Sequence, residues 1–147
     1  MTKANPPVYG LVSIAVMLAL HNLLPVRLII PESWHWLGVL LMALALILVT
    51  VISQMFKRRD TTIKPGEKSS ALVTEGPYRF SRNPIYLGMV IFLAGFAIHL
   101  GSLTPWVLVP VFALAIQAAF IRMEEGMLEE AFGQAYREYR RRVRRWI

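Results

Sequence analysis

Three long stretches of this chain hold no Asp, Glu, Lys or Arg: Ala4 to Val26, Ser33 to Phe56, and Asn83 to Ile121. About 20 apolar residues rising 1.5 Å apiece cross a hydrocarbon core of roughly 30 Å, so each of the first two suffices for one crossing. The third is 39 residues long. Wholly helical it would reach about 58 Å, which suits two crossings broken at Gly101-Ser102-Leu103-Thr104-Pro105. The expected fold class is therefore an all-α integral membrane protein of one domain. Its four transmembrane helices fall at about 7–24, 34–56, 84–100 and 105–121. A hydrophobic fraction of 56% and a mean hydropathy of +0.50 point the same way.

The basic residues set an orientation. Lys3 lies at the N-terminus, seven lie between Lys57 and Arg82, seven between Arg122 and Arg145, and only Arg27 falls elsewhere. Four crossings put all three clusters on one side, and the positive-inside rule makes that side, with both termini, cytoplasmic. Trp34, Trp36 and Trp106 then mark the opposite interface and Trp146 the cytoplasmic one. The net charge of +7 is read as facing anionic headgroups rather than nucleic acid, and the run Arg140-Arg141-Arg142-Val143-Arg144-Arg145 as a topology anchor. With no cysteine in the chain, disulfides, thiolate metal sites and cysteine nucleophiles are excluded, and no metal site is expected.

Between the second and third crossings lies a hydrophilic loop, 57–83, with Pro65-Gly66 marking a turn. It ends in Gly76-Pro77-Tyr78-Arg79-Phe80-Ser81-Arg82-Asn83-Pro84-Ile85-Tyr86-Leu87-Gly88, a polar, aromatic and cationic hinge entering an apolar helix. Asn83 is expected to cap the first turn and Pro84 to occupy a position that needs no amide donor. Gly88 and Gly95 share a face suited to close packing or to a ligand, and Pro110 is expected to kink the fourth helix. Beyond Arg122 the pattern becomes an amphipathic helix, 122–145, with Leu128, Phe132, Tyr136, Tyr139 and Val143 on one face. Gly126 and Gly133 weaken it, so it should dock on lipid or across the mouth of the bundle and close a pocket.

Glu124 and Glu125 sit just past the fourth helix, where a charge facing lipid would cost about 2.5 to 3.5 kcal/mol. They should face inward or toward water. One reading has them accept hydrogen bonds from a ligand; the other has them pair with Arg79, Arg82 or Arg122 and finish the helix.

Arg82-Asn83-Pro84-Ile85-Tyr86-Leu87-Gly88, one helical hairpin, then Glu124-Glu125 resembles the signature of the isoprenylcysteine carboxyl methyltransferase and phospholipid methyltransferase superfamily. In that signature Arg-His-Pro-x-Tyr-x-Gly is followed at a distance by Glu-Glu. Gly76-Pro77-Tyr78-Arg79, Leu128, Phe132-Gly133, Tyr136, Tyr139, Arg142 and Val143 extend the likeness over about Leu72 to Val143. Asn83 replaces the family's commoner His and cannot titrate near neutral pH, so it is not expected to act as a general base.

The resemblance implies an integral membrane enzyme using S-adenosylmethionine. Its cofactor would be held by Tyr78, Arg82, Asn83, Pro84, Tyr86, Gly88, Glu124 and Glu125, with no Gly-x-Gly motif available for a dinucleotide-type fold. Arg82 suits a carboxylate, a glutamate suits the ribose diol or the ammonium, and a tyrosine face suits the sulfonium. Arg142 is placed to orient an acceptor carboxylate, and Glu125 or a tyrosine such as Tyr139 to take a proton from a thiol or amine. The acceptor is expected to be a lipophilic carboxylate or thiol arriving from membrane lipid. A phospholipid amine N-methyltransferase, a nicotinamide-dependent membrane reductase and a non-catalytic four-helix protein are the alternatives.

Overall fold

A computed structural model describes residues 5–24, 26–58 and 71–147. Lys3, Pro25 and most of the loop, with its Pro65-Gly66 turn, lie outside the described residues. Five α-helices follow in order: α1, Pro6–Leu23; α2, His35–Arg58; α3, Pro84–Leu100; α4, Leu108–Ile116; and α5, Arg122–Arg142. No strand forms among the described residues, which hold one isolated bridge, Leu28 with Ser102. The runs Pro6–Leu23, Glu32–Arg58 and Thr104–Arg142 are each long and apolar enough to span a membrane, whereas α3, at 17 residues, is shorter. Leu11, Leu46, Ile47 and Leu114 are each more than half exposed, which suits helices whose outer faces meet hydrocarbon.

α2 and α3 run antiparallel in close contact. A methyl group on Gly38 would overlap the Gly95 carbonyl oxygen, and one on Gly95 would stand 2.7 Å from the Gly38 oxygen. Only glycine lets the two backbones approach this closely. Gly88 faces Val49 of α2 in the same way, so these small residues serve helix packing.

The end of the bundle away from the charges is tied by neutral bonds. The Ile29 amide donates to the Gly101 carbonyl at 2.9 Å and the Leu103 amide to the Arg27 carbonyl at 2.9 Å. His21 Nδ1 and Ser102 Oγ lie 2.8 Å apart, and the His35 and His99 rings meet edge to face with centroids 6.0 Å apart. Trp34 and Trp36 are exposed there.

α1 packs on α3 and α4 through a core that includes Met17, Leu93, Ala97, Phe112 and Ile116. α2 lies on another face of α3, where Ile52, Phe56 and Val73 form a second cluster. The two outer helices thus flank a slot floored by α3.

The structure corrects four local expectations. Pro110 is the third residue of α4, where a missing amide donor leaves no hydrogen bond unmade; the irregularity falls instead at a π turn, Gln117–Ile121, joining α4 to α5. Asn83 holds the N-cap position but makes no side-chain cap bond; its amide donates to the Arg145 carbonyl at 3.1 Å. α5 stops at Arg142, where Val143 turns extended, and it is broken inside at Gly133, with φ 50° and ψ −117°. Trp146 is half-buried and donates to Gln117 Oε1 at 3.0 Å, so it anchors the chain terminus to the bundle.

Candidate active site

The charged end of the slot widens into a cavity of about 1060 Å³. Its long arm is apolar, walled by Gly10, Leu11 and Ile14 of α1 and by Ala45, Leu46 and Val49 of α2. Its other end is polar, where Tyr78, Arg82, Asn83, Tyr86, Glu124 and Tyr139 converge.

The local sequence explains that convergence. Gly76–Arg79 forms a 3₁₀ turn with a proline in its first turn, which aims Tyr78 back at the bundle to pack against Phe56, centroids 5.7 Å apart. The chain then enters α3 at Pro84, and Tyr86 lies buried in its first turn. From the other side the π turn delivers α5 with Glu124 toward the cavity and Glu125 behind Arg82.

The two neighbouring glutamates therefore have different partners. Tyr86 donates its hydroxyl to Glu124 Oε1 at 2.6 Å. Burial pushes the Glu124 carboxyl above the usual carboxylate range, with the Tyr86 hydrogen bond acting in the opposite direction. A half-buried acid at the rim of a ligand-sized cavity favours a cationic partner, which would stabilise its ionised form. Glu125, in contrast, is buried and held by two guanidinium groups. Arg82 Nη1 lies 3.2 Å from its Oε1 and Arg145 Nη2 2.7 Å from its Oε2.

Arg82 is set by several bonds at once. Its backbone amide donates to the Arg144 carbonyl at 2.9 Å and its Nη1 to the Tyr136 hydroxyl at 3.3 Å. Its Nε is buried and has no hydrogen-bond partner among the described residues. A buried N–H left unpaired costs about 1 to 3 kcal/mol, while the Arg82 side chain lines the cavity and brings its charge there.

Tyr139 donates its hydroxyl to the Tyr78 carbonyl at 2.7 Å. Burial keeps both phenols above their ordinary pKa, with Tyr139 and then Glu124 adding to the effect at Tyr78. Both tyrosines thus remain neutral near pH 7.

Of the residues expected from the sequence, Tyr78, Arg82, Asn83, Tyr86, Gly88, Glu124 and Tyr139 line the cavity, whereas Pro84, Glu125 and Arg142 do not. Pro84 and Glu125 are buried nearby, and Arg142 is exposed on α5. Arg79 is also exposed. Sequence reasoning missed Ser81, which is 1% exposed and donates to the Arg145 carbonyl at 3.2 Å, and it missed Arg145 itself. No spacing in the arginine run distinguishes Arg145 from its neighbours.

A sequence model described as phospholipid methyltransferase matches residues 33–135, more than half of the chain. The chain belongs to the phospholipid methyltransferase family. The match covers α2, α3, α4 and the first part of α5, and so takes in the Arg82-to-Gly88 hinge and both glutamates. An uncharacterised protein of Haemophilus influenzae is 38% identical over 63 residues, 43% of this chain and all of that protein. A second relative, of Schizosaccharomyces pombe, is named protein-S-isoprenylcysteine O-methyltransferase. It is 35% identical over 79 residues, 52% of this chain, and the match covers only 32% of its own length. The resemblance read from the hinge and the glutamate pair thus holds, and this is a membrane methyltransferase of that broad kind.

Proposed function

We propose that this methyltransferase uses S-adenosylmethionine to methylate a lipophilic carboxylate or thiol at the cytoplasmic face of the membrane, with four crossings and both termini cytoplasmic. The observation that carries the reading is a single cavity with a polar end and a long apolar arm. At about 1060 Å³ it exceeds the roughly 300–1,000 Å³ of a common small-molecule pocket. It therefore has room for a donor and part of an acceptor together.

The residues present fit the donor. The Arg82 guanidinium at the cavity wall suits a carboxylate, and the second oxygen of Glu124 suits the ammonium or the ribose diol. S-adenosylmethionine, when bound, would supply an electrophilic methyl group. Tyr78 and Tyr86 would present their ring faces to the donor. The aliphatic walls of α1 and α2 would exclude water, and holding two reactants in one dry cavity supplies much of such a rate. An acceptor entering between α1 and α2 would keep its apolar part in the slot.

An amine acceptor is the second reading, and one observation favours it. Arg142 is exposed, and Arg82 is the only basic residue among the described residues lining the cavity. If Arg82 holds the donor, no second cation remains for an acceptor carboxylate. A thiol or amine must release a proton, and among the described residues the carboxylates that line the cavity are Glu124 and Glu130, Glu125 being occupied by Arg82 and Arg145.

The test is binding to the detergent-purified protein, measured by calorimetry, with NADPH in a parallel sample. Saturable binding of S-adenosylmethionine that S-adenosylhomocysteine displaces is the expected result. NADPH binding without S-adenosylmethionine binding would overturn the proposal in favour of a reductase, and binding of neither would favour a non-catalytic protein.

A further inference from the structure

Past α5 the chain reverses and makes a set of contacts beyond the residues that the family match covers. The carbonyls of Arg144 and Arg145 accept from the Arg82 amide, the Ser81 hydroxyl and the Asn83 side-chain amide at 2.9, 3.2 and 3.1 Å. Trp146 is fixed to Gln117 at 3.0 Å. These bonds belong to the backbone and to Trp146, and they leave the Arg145 side chain free for one partner, Glu125. Its Nε donates to Glu125 Oε1 at 3.1 Å and its Nη2 to Oε2 at 2.7 Å.

Two guanidinium groups thus share one carboxylate, and the cluster Arg82, Glu125, Arg145 carries a net charge of +1. Arg82 lines the cavity, whereas Glu125 and Arg145 do not. The Arg82 and Glu125 side chains are 9% and 10% exposed, so solvent screens the charges between them weakly. Without Arg145 both oxygens of Glu125 would be open to the Arg82 fork, and a two-bond pair of that kind is neutral and satisfied.

We propose that Arg145 is a positioning residue. By occupying Glu125 from the side away from the cavity, it keeps the Arg82 charge from being wholly offset by Glu125 and leaves that charge for an anionic ligand group. This rests on the proposed function for the identity of that group, the carboxylate of the methyl donor. Arg145 itself touches no ligand; its effect passes through Glu125 to Arg82.

The experiment compares S-adenosylhomocysteine with S-adenosyl-3-thiopropylamine, which lacks only the carboxylate, by calorimetry on the full-length detergent-purified protein. Arg145→Gln is expected to weaken S-adenosylhomocysteine about tenfold and the amine by less than about twofold, because only the first uses the freed charge. Arg145→Lys, which keeps a cation on Glu125, is expected to restore most of the affinity. Equal weakening of both ligands, or no change in either, in an Arg145→Gln protein that melts like wild type would overturn the proposal.

The double variant E125Q/R145Q leaves no unpaired carboxylate and serves if the single variant does not fold. It is expected to bind S-adenosylhomocysteine within about twofold of E125Q alone, since the role of Arg145 is spent on Glu125. A further loss of about tenfold would overturn the idea. If wild-type protein binds neither ligand, this proposal falls together with the proposed function. If it binds both with equal affinity, this proposal falls alone.

Discussion

The two ends of the bundle are held by different forces. At the far end, Gly38 and Gly95 bring two backbones together and short neutral bonds join the loops, as between Leu103 and Arg27. At the charged end, helices stand apart around a cavity, and the elements meet through ionised or hydroxyl side chains such as Arg82, Glu125 and Tyr86. The far end can be close because it carries nothing that needs room. The charged end is open, so its geometry must be imposed by hydrogen bonds of defined direction rather than by contact alone.

That contrast breaks most visibly at the glycine crossing. Gly38→Val should cost at least about 3 kcal/mol, because the added carbons collide with backbone of α3 that has no free rotamer to yield. Melting in detergent and the monodisperse fraction on size exclusion would measure it. A protein of unchanged stability would show that α2 and α3 are not locked there.

At the other end Glu124→Gln should leave melting nearly unchanged while weakening donor binding about thirtyfold, through loss of a charge-assisted bond. The pH dependence sharpens this. Burial raises the Glu124 carboxyl above its ordinary value, so on acidification it gains its proton at a higher pH than a free glutamate does. Binding of a cationic group should therefore weaken as pH falls, beginning above the ordinary carboxylate range, and Glu124→Gln should remove that dependence. Calorimetric titrations at several pH values would detect it, and a flat profile in the wild type would count against Glu124 as the cation's partner.

The smallest expected effect returns to the far end. Ser102→Ala removes the hydroxyl paired with His21 and should cost about 1 kcal/mol in stability with no change in donor affinity.

Much of the architecture was legible because lipid imposes it. Runs without charge have few fates in a bilayer, and Asn83-Pro84 marks where α3 starts. The family was legible from the hinge and the glutamate pair together. The division of labour between Glu124 and Glu125 was not. Adjacent helical residues point about 100° apart, and which of them faces the cavity depends on the helix phase set by the π turn, for which Gln117-Ala118-Ala119-Phe120-Ile121 gives no signal. Arg145 was hidden for a different reason. In a run of arginines each looks like a lipid anchor, and only the reversal at Val143 picks one out.

The π turn also makes the site a matter of register. It inserts extra backbone into an otherwise regular helix, so the angular position of every residue after Ile121 is offset from where a straight α4 would carry it. Straightening Gln117–Ile121 into regular α-helix with every residue kept would carry the following sequence one step, about 100°, further round, taking Glu124 to the direction Glu125 now has and Met123 to that of Glu124. The cavity would then meet a thioether where it now meets a carboxylate. A bundle of unchanged composition and helix order would have lost the acid at its polar end.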